Sequence, residues 1–450
     1  MPENIWIGID IGGTKISVGV VAESGQILAR VKQPTPRTAN HAEFIKFLIQ
    51  FIHQALQTKK YFLKNVLGVG LGVPGIVNPK DGFVIATPNA SLSGCALGKA
   101  LQQKLRVPVA VGNDVNLGLL GEKWLGAAKG LQNVVGIFPG TGLGGGVVVD
   151  GKLLIGHQGA AAEIGHMTID PHGPMCTCGN QGCLEAFVGR WAITRDVAEA
   201  LRRGEKSLLT KLTDGKISNL KSSHLADALK KKDPLTTRLL NQVANDLGIG
   251  CKSLRHIFDP QEIVLGGGLI EAFGGFLLPR IQKVLNNDPF FKNLPPCPIV
   301  ASQLLDDAVV LGAVACIMQA RGRSLTARSL YPFLEMTAPG GIRVHRQIFK
   351  NDFSIRADGK IKKRKLSSNG KPPRSLRLVD VSELKKLCKK KPQVLIIGAK
   401  SSRCLQLSKE AKAFCQQEGI EVNVLPTSKA VQAYNTTHRR KAFLLHFNCP

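Results

Sequence analysis

The sequence predicts an α/β protein with two similar lobes, each a mixed β-sheet flanked by helices, followed by a small mixed α/β domain. Three observations predict this organisation. Strands and helices follow a β-β-β-α-β-α-β order before residue 117, and a second series that opens with two strands around glycines begins near Val134. Near residue 325 the composition becomes strongly basic. We therefore expect lobes at 1–116 and 117–325 and a separate domain at 330–450.

The first lobe opens with three short strands joined by tight turns. The strand Ile5–Asp10 ends in Gly12-Gly13, and a second apolar run and a third strand follow at 16–21 and 27–29. Residues 42–57 have helical periodicity, with Phe44, Phe47, Leu48, Phe51 and Leu56 largely on one face. Two further strands, 66–73 and 107–112, complete the lobe, and the second of them stops at Asn113-Asp114.

The second lobe repeats this outline. The strand Val134–Phe138 leads into a glycine turn at 140–146, and Val147–Val149 is the returning strand. A later strand, Ile263–Leu265, runs into Gly266-Gly267-Gly268. Two halves that each start with a strand-turn-strand hairpin around glycines predict two lobes with a cleft between them.

The C-terminal domain is small and basic. Of the net charge of +28, residues 330–450 carry 25 Lys and Arg against 8 Asp and Glu. Such a charge either forms a solvated basic surface or attracts an acidic partner such as a nucleic acid. The pattern predicts strands at 342–356, a basic loop to 374, and then alternating helices and strands: helices near 382–390, 408–418 and 427–435, and strands at 394–397, 422–425 and 442–446.

The overall composition is that of a soluble globular protein, with 44% hydrophobic and 20% charged residues. The sequence contains no apolar run near the ~20 residues that a membrane-spanning helix needs. The first residues lack a basic segment followed by an apolar one, so the sequence predicts no signal peptide. We therefore expect a cytoplasmic protein without a membrane partner.

Three glycine-rich segments are candidates for binding phosphate or nucleotide. In Asp10-Ile-Gly12-Gly13-Thr14-Lys15 the glycines let backbone N–H groups approach a phosphate, Thr14 and Lys15 add donors, and Asp10 can hold Mg²⁺ through water. Gly140-Thr141-Gly142-Leu-Gly144-Gly145-Gly146 has more glycines than a simple turn requires. Gly267 and Gly268 suit a base and ribose lying against backbone. An ordinary hairpin turn, a flexible loop and a helix-packing turn are the respective structural alternatives.

Asn113-Asp114 lies at the end of a strand, where α/β proteins place reactive groups. A carboxylate there can accept the proton of an attacking hydroxyl during phosphoryl transfer. The same dipeptide can also cap the helix that begins with Val115-Asn116-Leu117. The dipeptide alone does not choose between a general base and a helix cap.

A metal site is indicated by His166 and, after nine residues, Cys176, Cys178 and Cys183. One imidazole and three thiolates form a complete tetrahedral set for zinc, and a site with no open position is structural. Three of the eleven cysteines crowd here, which favours a metal over disulfides. Glu163 and Glu185 flank the segment, so the metal loop would hold two carboxylates near a polyhydroxylated ligand. Glu185 is alternatively an acid at a helix N-terminus.

These motifs together resemble the ROK family of sugar kinases over about residues 4–320. The resemblance rests on Asp10-Ile-Gly-Gly-Thr-Lys, Gly72-Val-Pro-Gly75, Asn113-Asp114, the glycine loop at 140–146, Glu163-Ile-Gly-His166 and the Cys-x-Cys-Gly-x-x-Gly-Cys-x-Glu segment, in this order. It implies a two-lobed actin-like ATPase (ribonuclease H-like) fold. One departure is Val188-Gly189-Arg190, where many relatives have a Ser-Gly pair.

Carried over by position, the resemblance implies a glucokinase-like enzyme with Asp114 as catalytic base. Asn89, Asn113, Glu163, His166 and Glu185 become sugar ligands, with His166 serving both zinc and sugar. Mg²⁺ and ATP would be held by the glycine segments and their neighbours: Asp10, Gly12, Gly13, Thr14, Lys15, Gly140, Thr141, Gly142, Gly144, Gly145, Gly267 and Gly268. We expect glucose as substrate in carbohydrate metabolism, a structural Zn²⁺, and a homo-oligomer of two or four chains.

Other substrates and roles remain open at this point. N-acetylmannosamine, N-acetylglucosamine or allose can replace glucose, because side-chain placement distinguishes such sugars. A non-catalytic sugar-binding regulator and an assembly or scaffold protein are further alternatives, against which the intact Asp114 and glycine loops argue. The repressors of the family add an N-terminal helix-turn-helix, and the first core strand begins here at about residue 4, which we expect to leave no room for one.

The C-terminal stretch resembles the Mth938-like domain. The resemblance rests on Phe353-Ser-Ile-Arg-Ala-Asp-Gly-Lys-Ile, Lys391-Pro-Gln-Val-Leu-Ile-Ile-Gly, the segments that begin at Gly419 and Ala430, and Leu444-Leu-His-Phe-Asn-Cys. It implies a small mixed α/β fold and no particular activity. Cys404 and Cys415 are expected to be buried or incidental.

Overall fold

A computed structural model describes residues 4–38, 40–87, 92–323, 325, 334–337, 341–344, 347–357, 359–363, 377–379, 381–389, 391–399, 405–437 and 441–446. Asn89 and residues 364–374 of the predicted basic loop lie outside the described residues. The earlier part of that loop contains the strand Ile361–Lys363, which the sequence pattern did not predict. The chain forms two compact units, Met1–Leu325 and Thr326–Pro450.

The first part of unit 1 follows the predicted β-β-β-α-β order. Apolar side chains on β1 and α1 form one buried core with those of the next strands, including Ile7, Ile9, Phe44 and Phe51. Asn40 caps α1 by accepting from the N–H groups of Ala42 and Glu43. In chain order the elements are β1 (Ile5–Ile11), β2 (Lys15–Ala22), β3 (Ile27–Pro34), α1 (His41–Gln57), β4 (Val66–Val73), β5 (Ile76–Asn78), β6 (Phe83–Ala86), α2 (Leu97–Leu105) and β7 (Val109–Asn113).

The rest of unit 1 contains a second sheet and most of the helices. Its main core forms between the sheet and the long helices α8 and α9, with Leu247, Ile263, Leu277 and Ile281 fully buried. The elements are α3 (Asp114–Leu125), β8 (Val134–Pro139), β9 (Leu143–Val149), β10 (Lys152–Leu153), α4 (Glu185–Val188), α5 (Arg190–Arg202), α6 (Leu208–Leu212), α7 (Ser222–Lys230), α8 (Pro234–Phe258), β11 (Glu262–Leu265), α9 (Gly268–Asn286), β12 (Ile299–Ala301) and α10 (Ala308–Ala320).

The two five-stranded sheets of unit 1 have the same topology. The first has the order β3-β2-β1-β4-β7 and the second β10-β9-β8-β11-β12. In each sheet, three consecutive strands are joined by hairpins and pair antiparallel. Two later strands extend the sheet on the other side of the first strand and pair parallel to it and to each other. This repetition confirms the two similar mixed sheets expected from the sequence.

The predicted glycine turn at 140–146 is shorter in the structure. Strand β9 begins at Leu143, and Gly145 pairs with Ile137 and Gly146 with Gly136. The turn expectation at 143–146 is therefore wrong. Glycines there continue the strand because their faces pack against neighbouring elements, which leaves no room for larger side chains.

The last helix of unit 1, α10, returns to the first sheet. It packs along α3 and crosses β1 and β4. A Cβ atom on Gly70 of β4 would overlap the backbone carbonyl of Ala313, so glycine is required for this close approach. The helix that follows the second sheet therefore stabilises the first.

Unit 2 is a mixed α/β domain, as predicted. Its main sheet has the order β17-β16-β22-β19-β21, with β19 parallel to both β21 and β22. The elements are β13 (Leu334–Thr337), β14 (Gly341–Val344), β15 (Gln347–Phe349), β16 (Phe353–Ile355), β17 (Ile361–Lys363), β18 (Arg377–Val379), α11 (Val381–Leu387), β19 (Val394–Ala399), β20 (Leu405–Leu407), α12 (Lys409–Gln417), β21 (Glu421–Pro426), α13 (Thr427–Thr436) and β22 (Lys441–His446).

Candidate active site

Of the two residues Asn113 and Asp114, Asn113 caps the helix that begins with Asp114. Asn113 is the N-cap of α3, because its Oδ1 accepts from the N–H of Asn116 at 3.0 Å. Its Nδ2 donates to the Gly75 carbonyl at 3.0 Å, which ties the cap to the turn that follows β4. Asp114 is the first residue of the helix, and its Oδ1 accepts from the N–H of Val115 at 2.9 Å. The capping role therefore belongs to Asn113, and Asp114 keeps its second carboxylate oxygen for other chemistry.

Burial raises the pKa of the Asp114 carboxyl to about 6. The N–H groups of Val115 and Asp114 act in the opposite direction, and the charge of Glu163 adds to the increase. A carboxylate with a pKa close to neutrality is a better proton acceptor than an ordinary aspartate and is still ionised at pH 7. The surroundings of Asp114 thus suit a general base.

Asp10 lies near the end of β1, before the hairpin with Gly12, Gly13 and Thr14 at its tip. Burial, followed by the charge of Asp114, raises its pKa to about 7, and Lys15 partly opposes this increase. The Gly12 N–H donates to the Lys15 carbonyl at 3.0 Å, which closes the turn. The two carboxyl groups, both of raised pKa, therefore lie close enough for their charges to repel each other. A divalent cation bound between them would reduce this repulsion.

The loop between β8 and β9 is held by one carboxylate. Glu185, at the start of α4, is buried, and its Oε2 accepts from the N–H of Leu143 at 2.8 Å. A Cβ atom on Gly142 would overlap the same carboxylate. The Oε1 atom accepts from Thr177 at 3.3 Å and from the indole of Trp191 at 3.4 Å. At least one glycine of the loop is therefore required by packing against protein, whereas Gly140 has open space where a Cβ would lie.

Gly267 and Gly268 lie at the start of α9, beside the end of β8. Gly267 is the N-cap of α9 with a φ of 78°, which favours glycine, and a Cβ there would contact the Pro139 carbonyl. Gly268 has open space around its Cα. The third glycine segment thus meets the second one at the carboxyl end of β8.

The predicted metal ligands converge on one point. The nearest ligand atoms of His166, Cys176, Cys178 and Cys183 all lie within 4.8 Å of one another. The Sγ atoms of Cys178 and Cys183 are 3.7 Å apart, and Cys176 Sγ is 3.7 Å from His166 Nδ1. Two thiolates about 2.3 Å from a tetrahedral zinc would be roughly 3.8 Å apart. The donor set and its spacing fit zinc.

The described sugar-ligand candidates lie around this cluster and the start of α3. Glu163 is exposed and directly precedes a short 3₁₀ helix, Ile164–His166. Because His166 turns Nδ1 towards the thiols, Nε2 is left for a second partner. The carboxylate of Glu185 accepts from Thr177, which lies between two of the clustered cysteines, and from Leu143 at the end of the glycine loop. Asn89 is the one candidate that lies outside the described residues.

Two charged residues near the site are absent from the sequence-based prediction. Asp306 follows β12 and forms ion pairs with Lys15 at 3.5 Å and Lys32 at 2.8 Å. Asp306 lies in the short 3₁₀ helix Leu305–Asp307 beyond β12, so the signal that singled out Asp114, an acid directly after a strand, does not find it. Arg190 donates from Nη2 to the Thr141 hydroxyl at 2.7 Å. Its only signal in the sequence is the departure from the usual Ser-Gly pair.

Comparisons with known proteins identify the family of unit 1. The model of the ROK family matches residues 6–320. The chain belongs to the ROK family. A glucokinase from Thermotoga maritima is 35% identical over 324 residues, covering 72% of this chain and all of the relative. A xylose repressor from Caldicellulosiruptor bescii is 30% identical and covers 69% of this chain and 77% of the relative.

Solved ROK structures confirm the predicted fold. A ROK family glucokinase from Streptomyces griseus, in complex with glucose and AMPPNP, matches with a TM-score of 0.61 and 32% identity over 70% of this chain and all of that chain. Unit 1 thus has the actin-like ATPase fold of ROK sugar kinases. Residues 334–446 match the family described as "Protein of unknown function (DUF498/DUF598)", which accounts for unit 2. Among the described residues, no helix is both long and apolar enough to span a membrane.

Proposed function

We propose that this ROK protein phosphorylates a hexose at the expense of ATP, with glucose as the first candidate, giving hexose 6-phosphate and ADP. The observation that carries the proposal is Asp114: a helix-start carboxyl whose capping duty is taken by Asn113 and whose pKa burial raises to about 6. The similarity to glucokinases supports the same conclusion.

In the proposed step, the Asp114 carboxylate accepts the proton of the attacking sugar hydroxyl. The hydroxyl oxygen forms a bond to the γ-phosphorus as the bond from that phosphorus to the β–γ bridging oxygen breaks, and ADP leaves with the electron pair. The protein contributes position and charge stabilisation, which are the main sources of catalysis in phosphoryl transfer. Removing a base of this kind costs about 10²–10⁴ in rate.

On the phosphate side, Asp10 is the residue that would hold Mg²⁺ through water. Magnesium bound there would neutralise charge on the β- and γ-phosphates. The hairpin residues Gly12, Gly13, Thr14 and Lys15 would contact the phosphates from the first sheet. Contacts from the second sheet would come from the loop and from the start of α9: Gly140, Thr141, Gly142, Gly144, Gly145, Gly267 and Gly268.

On the sugar side, we propose Asn113, Glu163, His166 and Glu185 as ligands, together with Asn89. Carboxylates accept hydrogen bonds from sugar hydroxyls. The sequence positions of Glu163, three residues before His166, and of Glu185, two residues after Cys183, support this role. Zinc held by His166, Cys176, Cys178 and Cys183 would fix the ring of His166 and the segment that leads to Glu185. In this proposal zinc is structural and takes no part in the chemical step.

A second candidate function is a non-catalytic, sugar-responsive regulator, which the 30% identity to a xylose repressor favours. One panel of sugars distinguishes the kinase from the regulator. Coupled ADP-release assays are run with glucose, mannose, allose, N-acetylglucosamine and N-acetylmannosamine. Turnover with one or more hexoses supports the kinase, and the best kcat/KM identifies the substrate. Sugar binding by calorimetry without ADP release from any sugar would support the regulator instead.

For unit 2 we propose a solvated basic surface, with an acidic partner as the alternative. A scaffold role for the whole chain would follow only if unit 2 recruits such a partner. A homo-oligomer of two or four chains, the division of unit 1 near residue 117, and a cytoplasmic site of action stay predictions. Light scattering coupled to size-exclusion chromatography measures the oligomeric state.

A further inference from the structure

The glycine loop between β8 and β9 has no charged side chain of its own. Residues 138–146 read Phe-Pro-Gly-Thr-Gly-Leu-Gly-Gly-Gly. A polyanion bound against this loop would meet N–H groups and the Thr141 hydroxyl, with no cation from the loop itself. In the first hairpin, by contrast, Lys15 is part of the turn, although it is 3.5 Å from Asp306.

Arg190 brings a guanidinium to this loop from another element. It is the first residue of α5, and its Nη2 atom donates to the Thr141 hydroxyl at 2.7 Å. The backbone fixes the same contact, because the Arg190 N–H donates to the Gly140 carbonyl at 3.1 Å and the Trp191 N–H to the Thr141 carbonyl at 3.4 Å. The start of α5 therefore binds the carbonyls at the tip of the loop.

Trp191 fixes the next position of the helix. Its indole N–H donates to Glu185 Oε1 at 3.4 Å, and the other oxygen of Glu185 accepts from the loop N–H of Leu143 at 2.8 Å. The loop and the first turn of α5 thus share one buried carboxylate. Arg190 is held on a rigid support, as a ligand-binding arginine requires.

Arg190 differs from Arg195, Arg203 and Arg238 in its partners. Arg195 pairs with Asp196 at 2.8 Å, Arg238 pairs with Glu205 at 2.7 Å, and Arg203 pairs with Glu199. Among the described residues, no carboxylate lies within 4.0 Å of the Arg190 guanidinium, and its hydrogen-bond acceptor is a neutral hydroxyl. The contact with Thr141 uses one of five N–H donors, so four remain for an anion.

The bond to Thr141 also has a direction. Because the hydroxyl oxygen accepts from Arg190, its own proton points away from the guanidinium and is available to an oxygen of an anion bound beside the loop. Gly140, beside Thr141, has open space where a Cβ would lie. Arginine's planar fork matches the oxygens of a phosphate in a bidentate manner.

We infer that Arg190 is a phosphate-binding residue that supplies the second glycine loop with its cation, acting with Thr141 on the phosphate chain of the nucleotide donor. The inference rests on the proposed function, because it assigns a ligand contact within that ATP site. Arg190 binds the anionic chain and leaves recognition of the sugar to other residues.

The test measures nucleotide binding without turnover. Isothermal titration calorimetry with ATP, ADP and AMP in the presence of Mg²⁺ compares the wild-type protein with Arg190→Ala, Arg190→Lys and the control Arg203→Ala, at the C-cap of the same helix. A lost charged hydrogen bond should weaken ATP and ADP binding about 10- to 100-fold. AMP and hexose binding should change less than about twofold, Arg190→Lys should recover part of the loss, and Arg203→Ala should match the wild type.

Several results would overturn the inference. ATP affinity of Arg190→Ala within twofold of the wild type would do so, as would an equal loss for ATP, AMP and hexose, since that pattern means Arg190 only supports the loop. Wild-type protein that binds no ATP would also exclude it. Arg190-dependent ATP binding in a protein that phosphorylates no hexose would remove the proposed function and leave this inference standing.

Discussion

The two sheets of unit 1 share one topology and differ in the side chains at their turns. In both, a hairpin is followed by two parallel strands, and a helix begins beyond the last strand: α3 after β7, and α10 after β12. The first hairpin carries Asp10 and Lys15, and the second contains glycines and one threonine. The first half thus brings its charges within the hairpin, whereas the second receives its charges, Glu185 and Arg190, from segments that follow it.

This difference shows what topology contributes and what it does not. The shared strand order brings each turn to the carboxyl end of its sheet, where ligands bind in α/β proteins. The chemistry of each turn then depends on its neighbours. In the second half those neighbours are the segment 166–183, which holds the histidine and cysteine cluster, and the helices α4 and α5. In the part of the chain that the structure describes, these elements have no counterpart in the first half.

The largest expected effect belongs to Asp114, at the end of the first sheet. Asp114→Asn should lower kcat by about 10²–10⁴ while hexose affinity stays near that of the wild type, because the amide cannot accept the hydroxyl proton. Steady-state kinetics and calorimetry measure the two quantities. The matched control is Asp227→Asn on the exposed face of α7. Near wild-type turnover in Asp114→Asn would end the assignment of the base to the first half.

A second prediction concerns the proposed zinc site of His166, Cys176, Cys178 and Cys183 in the second half. Elemental analysis should find one zinc per chain, and Cys178→Ser should lose it. Because Glu185 and His166 lie on the same segment, hexose affinity and Tm should fall together. Loss of an outer-shell partner costs about 10–100-fold in metal affinity, and loss of a ligand should cost more. Met175→Ala, an exposed neighbour, is the control. Freshly purified protein without zinc would contradict the prediction.

The pH dependence tests the first half, because Asp10 and Asp114, whose carboxyl groups have raised pKa values, both lie there. Burial raises the pKa of Asp114 to about 6 and that of Asp10 to about 7. The proposed mechanism uses both in the ionised form, so kcat/KM should fall as the pH drops from about 7 to 5. Asp10→Asn should weaken Mg·ATP binding and remove the upper of the two ionisations. A profile that is flat down to pH 5 would be inconsistent with both shifts.

The same two groups give a stability prediction with a definite sign. Their pKa values are raised above the ordinary value of 3.8, so the folded protein binds more protons than the unfolded chain between pH about 4 and 7. Stability of the ligand-free protein therefore falls as the pH rises through this window. Asp10→Asn should raise Tm relative to the wild type at pH 8 and less so at pH 5. An equal difference in Tm at both values would contradict the assignment.

The smallest effect is expected from removing unit 2. A chain ending at residue 328 should keep hexose kinase activity within about twofold, because unit 1 has its own cores. The deletion also removes most of the basic excess, so any binding to heparin should weaken and lose much of its salt dependence. Activity lost on truncation would show that the units depend on each other. Unchanged heparin binding would instead remove the proposed electrostatic role of unit 2.

Much of the fold could be predicted from the sequence, because hydrophobic periodicity and glycine positions are local signals. The hairpins of both sheets, the helix at 41–57 and most elements of unit 2 follow these signals closely. The start of β9 at Leu143 could not be predicted, since Gly144, Gly145 and Gly146 have no local preference for a strand. These glycines belong to strand β9 because Val115, Ile164 and Leu119 pack against them.

The sequence by itself determined the cluster of one histidine and three cysteines, the glycine segments and the acid that follows β7, because each is a short pattern whose chemistry is fixed by residue type. Only the tertiary structure assigned the cap to Asn113 and left Asp114 for chemistry, joined Glu185 to the glycine loop, and brought Arg190 to Thr141. These pairings join residues up to 49 positions apart. Such contacts depend on how α3, α4 and α5 pack against the sheets, and no local pattern encodes that packing.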